Sequence, residues 1–227
     1  DGDLSSNLGS SDYWVVKLDT DGSVTWKESY GGSGRDVAHS IKQTGDGGYF
    51  ISGISSSTDG DVTNFSDGRD YWVIKIDAIG NLIWQKALGG DGTDVAYSID
   101  ETDDGGAIIG GFSTSTNGDV SGNHGDSDYW IIKLDPSGNY LWQQTIGGSG
   151  TDEPNSIKQT PDGGFIIAGY SYSEDGDLTR NRGSSDYWIV KLEEVSTAGS
   201  VYYDADENCL QNLNENEIEG INLIINP

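Results

Sequence analysis

The chain has 227 residues, 33% of them hydrophobic, and sets 38 acids against 12 bases for a formal net charge of −26. That balance repels polyanions and attracts divalent cations, which argues against nucleic acid as a partner. No apolar run approaches the roughly 18 residues that a membrane-spanning helix needs, and the single cysteine, Cys209, points to a partner outside this segment rather than an internal disulfide.

In chain order, the first strong signal is D-Y-W-V-V-K-L-D at Asp12–Asp19, rich in β-branched and aromatic residues and read as a strand over 13–19. The turn T-D-G-S follows, with a glycine where the backbone needs positive φ. A second strand spans roughly 24–30 around Trp26, the loop G-G-S-G-R-D ends it, and a third strand covers roughly 37–44. The turn at Gly45–Gly47 leads to a fourth strand, roughly 48–57, and a polar loop over 58–69 reaches the next D-Y-W.

The whole pattern then recurs. D-Y-W stands at Asp12, Asp70, Asp128 and Asp186, each step being 58 residues, and Lys17, Lys75, Lys133 and Lys191 keep the same phase. Three units run 12–69, 70–127 and 128–185, and a fourth starts at 186 and stops after one strand, by 194. Four strands per unit without a helical period predict an all-β fold, a β-propeller-type array of four-stranded blades. A linear β-solenoid is the alternative, disfavoured because its coils are usually shorter and lack hairpin turns. Three units and a strand fall short of about four blades, the usual minimum for a propeller, so either further blades lie upstream, which is the expectation, or the segment is an open arc. Trp14, Trp72, Trp130 and Trp188 are expected to be buried in equivalent settings.

Successive loops of such a meander fall on opposite ends. The glycine-rich loop 31–36 and the acidic loop 58–69 share one end, and the short turns the other. The acidic loops place oxygen-bearing side chains at alternate positions: Asp59, Asp61, Thr63 and Asp70; Asn117, Asp119, Ser121, Asn123 and Asp128; Asp175, Asp177, Thr179, Asn181 and Asp186. Alternate spacing is how one flexible loop gathers the six to eight oxygens of calcium. Asx-turn and Ser/Thr-turn chemistry selects the same residues in any tight loop, so both readings stand. The glycine-rich loops precede strands rather than helices, which argues for turns and bulges over phosphate binding.

Catalytic residues are not evident. His39 and His124 occupy different repeat positions, and no serine has a base beside it in a motif sense. Asp36, Asp94 and Asp152 recur once per unit, as a scaffold residue does, and they are the candidate acids only if the chain belongs to a carbohydrate-active enzyme.

After a linker at 195–200, residues 201–227 open a second module. Asp204, Asp206, Asn208, Leu210, Asn212 and Glu215 stand at positions 1, 3, 5, 7, 9 and 12 of a loop, the spacing of an EF-hand calcium loop with its bidentate Glu. The flanks V-Y-Y and I-N-L-I-I read as strands, so the loop is not part of a helix–loop–helix hand.

The run D-Y-W-I-I-K-L-D-P-S-G-N-Y-L-W-Q-Q-T-I-G-G-S-G-T-D, followed by P-D-G-G-F-I-I-A-G-Y-S, resembles propeller-like repeats of secreted Bacteroidetes surface proteins that use type IX secretion; the resemblance covers residues 1–194. Residues 199–227 resemble the opening of calcium-binding Ig-like modules of the SdrD-B type, with Cys209 in place of the usual glycine and Asn212 in place of Asp. The resemblances imply an extracellular or cell-surface location. The expected function is a non-catalytic binding or adhesion module of a larger protein, with a glycan or protein as ligand. The alternatives are the propeller part of a secreted hydrolase or lyase, and a structural spacer.

Overall fold

The computed structural model describes residues 8–63, 68–178, 181 and 183–193. Their strands are β1 (Tyr13–Leu18), β2 (Val24–Tyr30), β3 (Asp36–Gln43), β4 (Tyr49–Ser55), β5 (Asp70–Ile76), β6 (Leu82–Leu88), β7 (Asp94–Glu101), β8 (Ala107–Ser113), β9 (Asp128–Leu134), β10 (Tyr140–Ile146), β11 (Asp152–Gln159), β12 (Phe165–Ser171) and β13 (Asp186–Leu192). No helix occurs among the described residues. The named strands pair antiparallel with consecutive strands, in sheets β1–β2, β3–β4–β5–β6, β7–β8–β9–β10 and β11–β12–β13, and single parallel bridges join Ser11 to Arg35, Arg69 to Thr93 and Ser127 to Thr151 outside them. The array is all-β and propeller-type, as the repeat predicts.

The sheets are out of phase with the sequence units. Each four-stranded sheet takes the last two strands of one unit and the first two of the next, so the D-Y-W strand lies in a sheet interior. This corrects the expectation of one blade per unit read from D-Y-W to D-Y-W. The reason is that the acidic loop, long as it is, returns the chain beside β4: β5 pairs with β4 over its whole length, from Ser55↔Asp70 to Tyr49↔Ile76.

Sheets stack face to face, and the alternation of the D-Y-W strand feeds two cores at once. Trp72, Ile74 and Ile76 face back onto Tyr13 and Val15, while Tyr71 and Val73 face forward onto Trp130, Ile132 and Ile109. Every residue of β5 and β9 is therefore buried. The same contact closes each junction. Tyr13 donates to the Trp72 carbonyl at 2.8 Å with ring centroids 4.5 Å apart; Tyr71 does so to Trp130 at 2.9 Å and 4.5 Å; Tyr129 to Trp188 at 3.2 Å and 4.8 Å.

The tryptophans are not equivalent, contrary to expectation. Trp72 and Trp130 are fully buried, Trp188 is half-buried and Trp14 is 48% exposed. The cover on each tryptophan is the tyrosine of the preceding sheet, and no described residue supplies one for Trp14.

The tyrosine hydroxyl also explains a glycine. Built on Gly111, a Cβ would lie 1.9 Å from the Val95 carbonyl oxygen and 2.5 Å from the Tyr71 hydroxyl, and Gly53 and Gly169 are as crowded. Across from these glycines the edge strand bulges: Ala38 pairs with Gly53 and Ser40 with Ser52, which leaves His39 as the extra residue. Tyr97 and Asn155 are its counterparts in β7 and β11.

Candidate functional site

At each junction the glycine-rich loop is tied to the acidic loop by carboxylates that accept backbone N–H groups. Asp36 is fully buried and accepts from Gly32 N at 2.9 Å, Ser55 Oγ at 2.5 Å and Ser57 Oγ at 2.8 Å. Asp94 does the same for Gly90 N and Ser115 Oγ, both at 2.9 Å, and for Ser113 Oγ; Asp152 accepts from Gly148 N at 2.8 Å and Ser173 Oγ at 2.7 Å. Burial pushes the Asp94 carboxyl up from its ordinary value, the donors from Ser113, Gly90 and Ser115 oppose this, and nearby Asp119 adds to the rise. Asp128 is likewise raised by burial against the opposing contacts of His124, with Asp152 adding repulsion.

The proposed calcium residues of the acidic loops are placed in this scaffold. Asp59 accepts from Ser33 N at 2.6 Å and Asp61 from Gly31 N at 3.1 Å. Asn117 and Asp119 serve Asp91 N at 3.0 Å and Gly89 N at 3.1 Å; Asp175 and Asp177 serve Ser149 N at 2.7 Å and Gly147 N at 3.0 Å. An amide oxygen accepts as a carboxylate does, so Asn117 replaces Asp without loss of the bond. Thr63 and Ser121 receive the side chains of Gln85 and Gln143. Asn123 and Asn181 turn their NH₂ groups onto the carbonyls of Ser113 and Ser115, and of Ser171 and Ser173. Asp70 and Asp128 are buried where their strands begin, and Asp186 is half-buried. Thr179 lies outside the described residues, as do Asp204, Asp206, Asn208, Leu210, Asn212 and Glu215. Among the described residues no group of three or more His, Cys, Asp or Glu side chains is placed to hold a metal ion. Most of these contacts join residues 22–30 positions apart, so the acidic loop is tied to the glycine-rich loop and to the neighbouring strand rather than closed on itself by local Asx turns.

A different set of residues converges where the repeat departs from itself. The edge strands β3, β7 and β11 lie side by side across the sheets: Ser40 Oγ accepts from Ile99 N at 3.3 Å, and Ser98 Oγ from Ile157 N at 3.2 Å. Further along the same wall, Asp100 bridges Lys42 at 2.6 Å and Lys158 at 3.5 Å. At the bulges the His39 ring meets the Tyr97 ring at 5.3 Å, while His39 Nδ1 contacts the Ala96 carbonyl at 2.8 Å. Tyr97 packs on Phe112 at 5.9 Å. Burial raises the Tyr97 phenol, with the Glu153 carboxylate adding to it, and Glu153 accepts from the Tyr170 hydroxyl at 2.7 Å. Tyr170 meets Tyr172 edge-on at 5.9 Å. His39, Asn155 and Tyr172 are exposed, and Tyr97, Phe112, Glu153 and Tyr170 are half-buried. The result is a continuous surface strip of rings with hydrogen-bonding groups between them.

No known protein family matches the chain. No curated protein matches it either. Among solved structures it is similar to a protein of unknown function from Bacteroides caccae, at 12% identity and a TM-score of 0.31, over 71% of this chain. The chain spans 63% of the length of that structure.

None of the strip residues stands out by motif. The signal that finds them is inequality between repeats: position 39 carries His, Tyr97 and Asn155 in turn, and Val37, Val95 and Glu153 share one position, as do Ile54, Phe112 and Tyr170. Scaffold positions such as Asp36, Asp94 and Asp152 do not vary. His124, the other histidine, stands exposed beside Asp128 at 3.3 Å and away from this wall.

Proposed function

We propose that the chain is a non-catalytic binding module of a larger extracellular or cell-surface protein, and that its ligand, a neutral glycan, lies along the strip from His39 through Tyr97 and Glu153 to Tyr172. The observation that supports this is the concentration of unlike side chains at the bulges of adjacent edge strands, His39, Tyr97 and Asn155, and at repeat-equivalent positions beside them, Glu153, Phe112 and Tyr170, within a scaffold that otherwise repeats. Bulges re-aim side chains and gather next to functional sites. Tyrosine faces stack on sugar rings, and a phenol, a carboxylate, an imidazole and an amide supply the directional bonds that hydroxyl-rich ligands need. A net charge of −26 disfavours acidic polysaccharides. The repeats that residues 1–194 resemble support the secreted Bacteroidetes setting. The segment 201–227 supports a following SdrD-B-like module that calcium organises through Asp204, Asp206, Asn208, Leu210, Asn212 and Glu215.

The enzyme reading relied on Asp36, Asp94 and Asp152. All three are fully buried and occupied by their own loops, which leaves them poorly placed to reach a glycosidic bond. The test is titration calorimetry against a panel of neutral polysaccharides, with chromatography of the reaction mixture for cleavage products. The expected result is binding without turnover, weakened at least tenfold by Tyr97→Ala and by Tyr172→Ala. Binding that survives both substitutions, or no binding to any glycan of the panel, overturns the assignment.

A further inference from the structure

At each bulge one residue of the edge strand stands outside the ladder: His39 in β3, Tyr97 in β7 and Asn155 in β11. The contacts between these strands fix their phase. Ser40 Oγ accepts from Ile99 N and Ser98 Oγ from Ile157 N, each across 59 positions. Asp100 bridges Lys42 and Lys158, its repeat equivalents on either side. The phase is the same from β3 to β7 as from β7 to β11, so His39, Tyr97 and Asn155 stand abreast. They form a row that crosses the strands, one residue per sheet. The row faces solvent, with His39 and Asn155 exposed and Tyr97 half-buried. Its first step is short: the His39 and Tyr97 rings lie 5.3 Å apart, against the roughly 10 Å that usually separates stacked sheets. That step is close to the length of one pyranose ring in an extended glycan.

We infer that the strip takes an extended, linear glycan laid across the strands, with one sugar unit per sheet; the inference rests on the glycan reading above. A row with the same phase at each step suits a chain that advances without coiling, as β-1,4-linked glycans do and α-1,4-linked ones do not. The three positions differ in chemistry. The imidazole offers a ring face and its second nitrogen, since Nδ1 is taken by the Ala96 carbonyl. The phenol offers a ring face and a hydroxyl, and the amide a donor and an acceptor. Successive sugars therefore meet unlike partners, which sets the register of the chain on the row. Each further sugar adds contacts at one further sheet, so affinity grows with chain length and a single sugar binds weakly.

Titration calorimetry of the whole chain with β-1,4-linked oligosaccharides of glucose, mannose and xylose, from the single sugar upward, reads this dependence. One added hydrogen-bonded contact multiplies affinity roughly fivefold, so a gain of about that size is expected at the second sugar and again at the third. Asn155→Ala removes the gain at the third sugar and leaves the disaccharide unaffected, with melting temperature unchanged. His39→Ala removes one gain from the other side of Tyr97. α-1,4-Linked glucose oligosaccharides gain less with each sugar. A disaccharide that binds as tightly as the trisaccharide, an Asn155→Ala variant that keeps both gains, or an α-1,4 series that matches the β-1,4 series overturns this inference and leaves the glycan reading standing. If no oligosaccharide binds while a polysaccharide of the panel does, this inference falls alone; if neither binds, both fall.

Discussion

Replacing Tyr71 by Phe isolates the bond that repeats at every sheet junction. The ring stays, so the contact with Trp130 is kept, while the small space that the hydroxyl fills beside Gly111 opens. What is lost is one buried hydroxyl donating to the Trp130 carbonyl at 2.9 Å. A neutral hydrogen bond of this kind contributes about 1 kcal/mol net, and the carbonyl left behind in a dry junction raises the cost to about 2 kcal/mol. For a domain of this size about 1 kcal/mol corresponds to a fall of roughly 2–4 °C in melting temperature, so Tyr71→Phe should melt roughly 2–8 °C lower. Tyr129→Phe should cost less, since its bond is 3.2 Å long and only part-buried. Tyr187→Phe, measured at micromolar concentration, should cost nothing, since that side chain is 96% exposed. Differential scanning calorimetry of the three variants ranks them. A Tyr71→Phe variant that melts within about 1 °C of the parent, less than even a weak buried bond predicts, or a ranking in which Tyr187→Phe costs most, refutes the claim that these hydroxyls hold the sheets together.

Asp94→Ala leaves Gly90 N, Ser113 Oγ and Ser115 Oγ without their acceptor, at about 1–3 kcal/mol for each donor left dry, so urea denaturation should show a loss of at least about 3 kcal/mol. Asp94→Asn keeps one acceptor oxygen and should lose less; equal losses refute the acceptor role. In acid, Asp46 is held down at about 2 by Thr44, Lys75 and Gly48; Asp162 is held at about 2 by Thr160 and Lys191; and Asp104, which burial pulls up, is brought to about 2 by Lys133 and Thr102. Their folded pKa lies below the unfolded one, so their contribution is complete above about pH 4 and is lost as pH falls toward 2. Asp94 and Asp128, with raised pKa, act in the opposite sense, since burial penalises their charged form and protonation relieves it. The melting temperature should fall between pH 4 and 2, and Lys75→Met should flatten that fall; an unchanged slope refutes the Lys75–Asp46 assignment. Finally, Glu215→Gln should abolish most calcium-dependent heat in calorimetry of the chain, because it removes the bidentate carboxylate. Equal heats from parent and variant would remove the calcium reading of 204–215.

Strands and turns were legible because each unit states them with strong local chemistry. Aromatic and β-branched runs mark the strands, and a glycine at positive φ closes each hairpin, as at Gly22, Gly80 and Gly138. Strand ends agree with the structure to within two residues, and β3 starts one residue earlier, at Asp36. The phase of the sheets was hidden, because pairing of β4 with β5 across a long loop is a non-local choice that no turn signal encodes. The exposure of Trp14 was hidden for a related reason: burial of that position depends on another sheet. The acids of the glycine-rich and acidic loops were read correctly as repeating elements, but spacing alone does not separate a metal ligand from an N–H acceptor. The bulges were invisible, because they arise from the register of β3 against Gly53, where a tyrosine from the neighbouring sheet occupies the space of a side chain.

The offset between sequence units and sheets has a mechanical consequence. Each 58-residue unit contributes half of one sheet and half of the next, so covalent chain and hydrogen-bonded ladder interlock like overlapping courses of brick. To pull out the second unit, a load along the chain must open the ladders β4–β5 and β8–β9, and to pull out the third it must open β8–β9 and β12–β13. Duplication or deletion of a whole unit, by contrast, restores the same overlap at the new joint, so the array can change length without a change in how it bears tension.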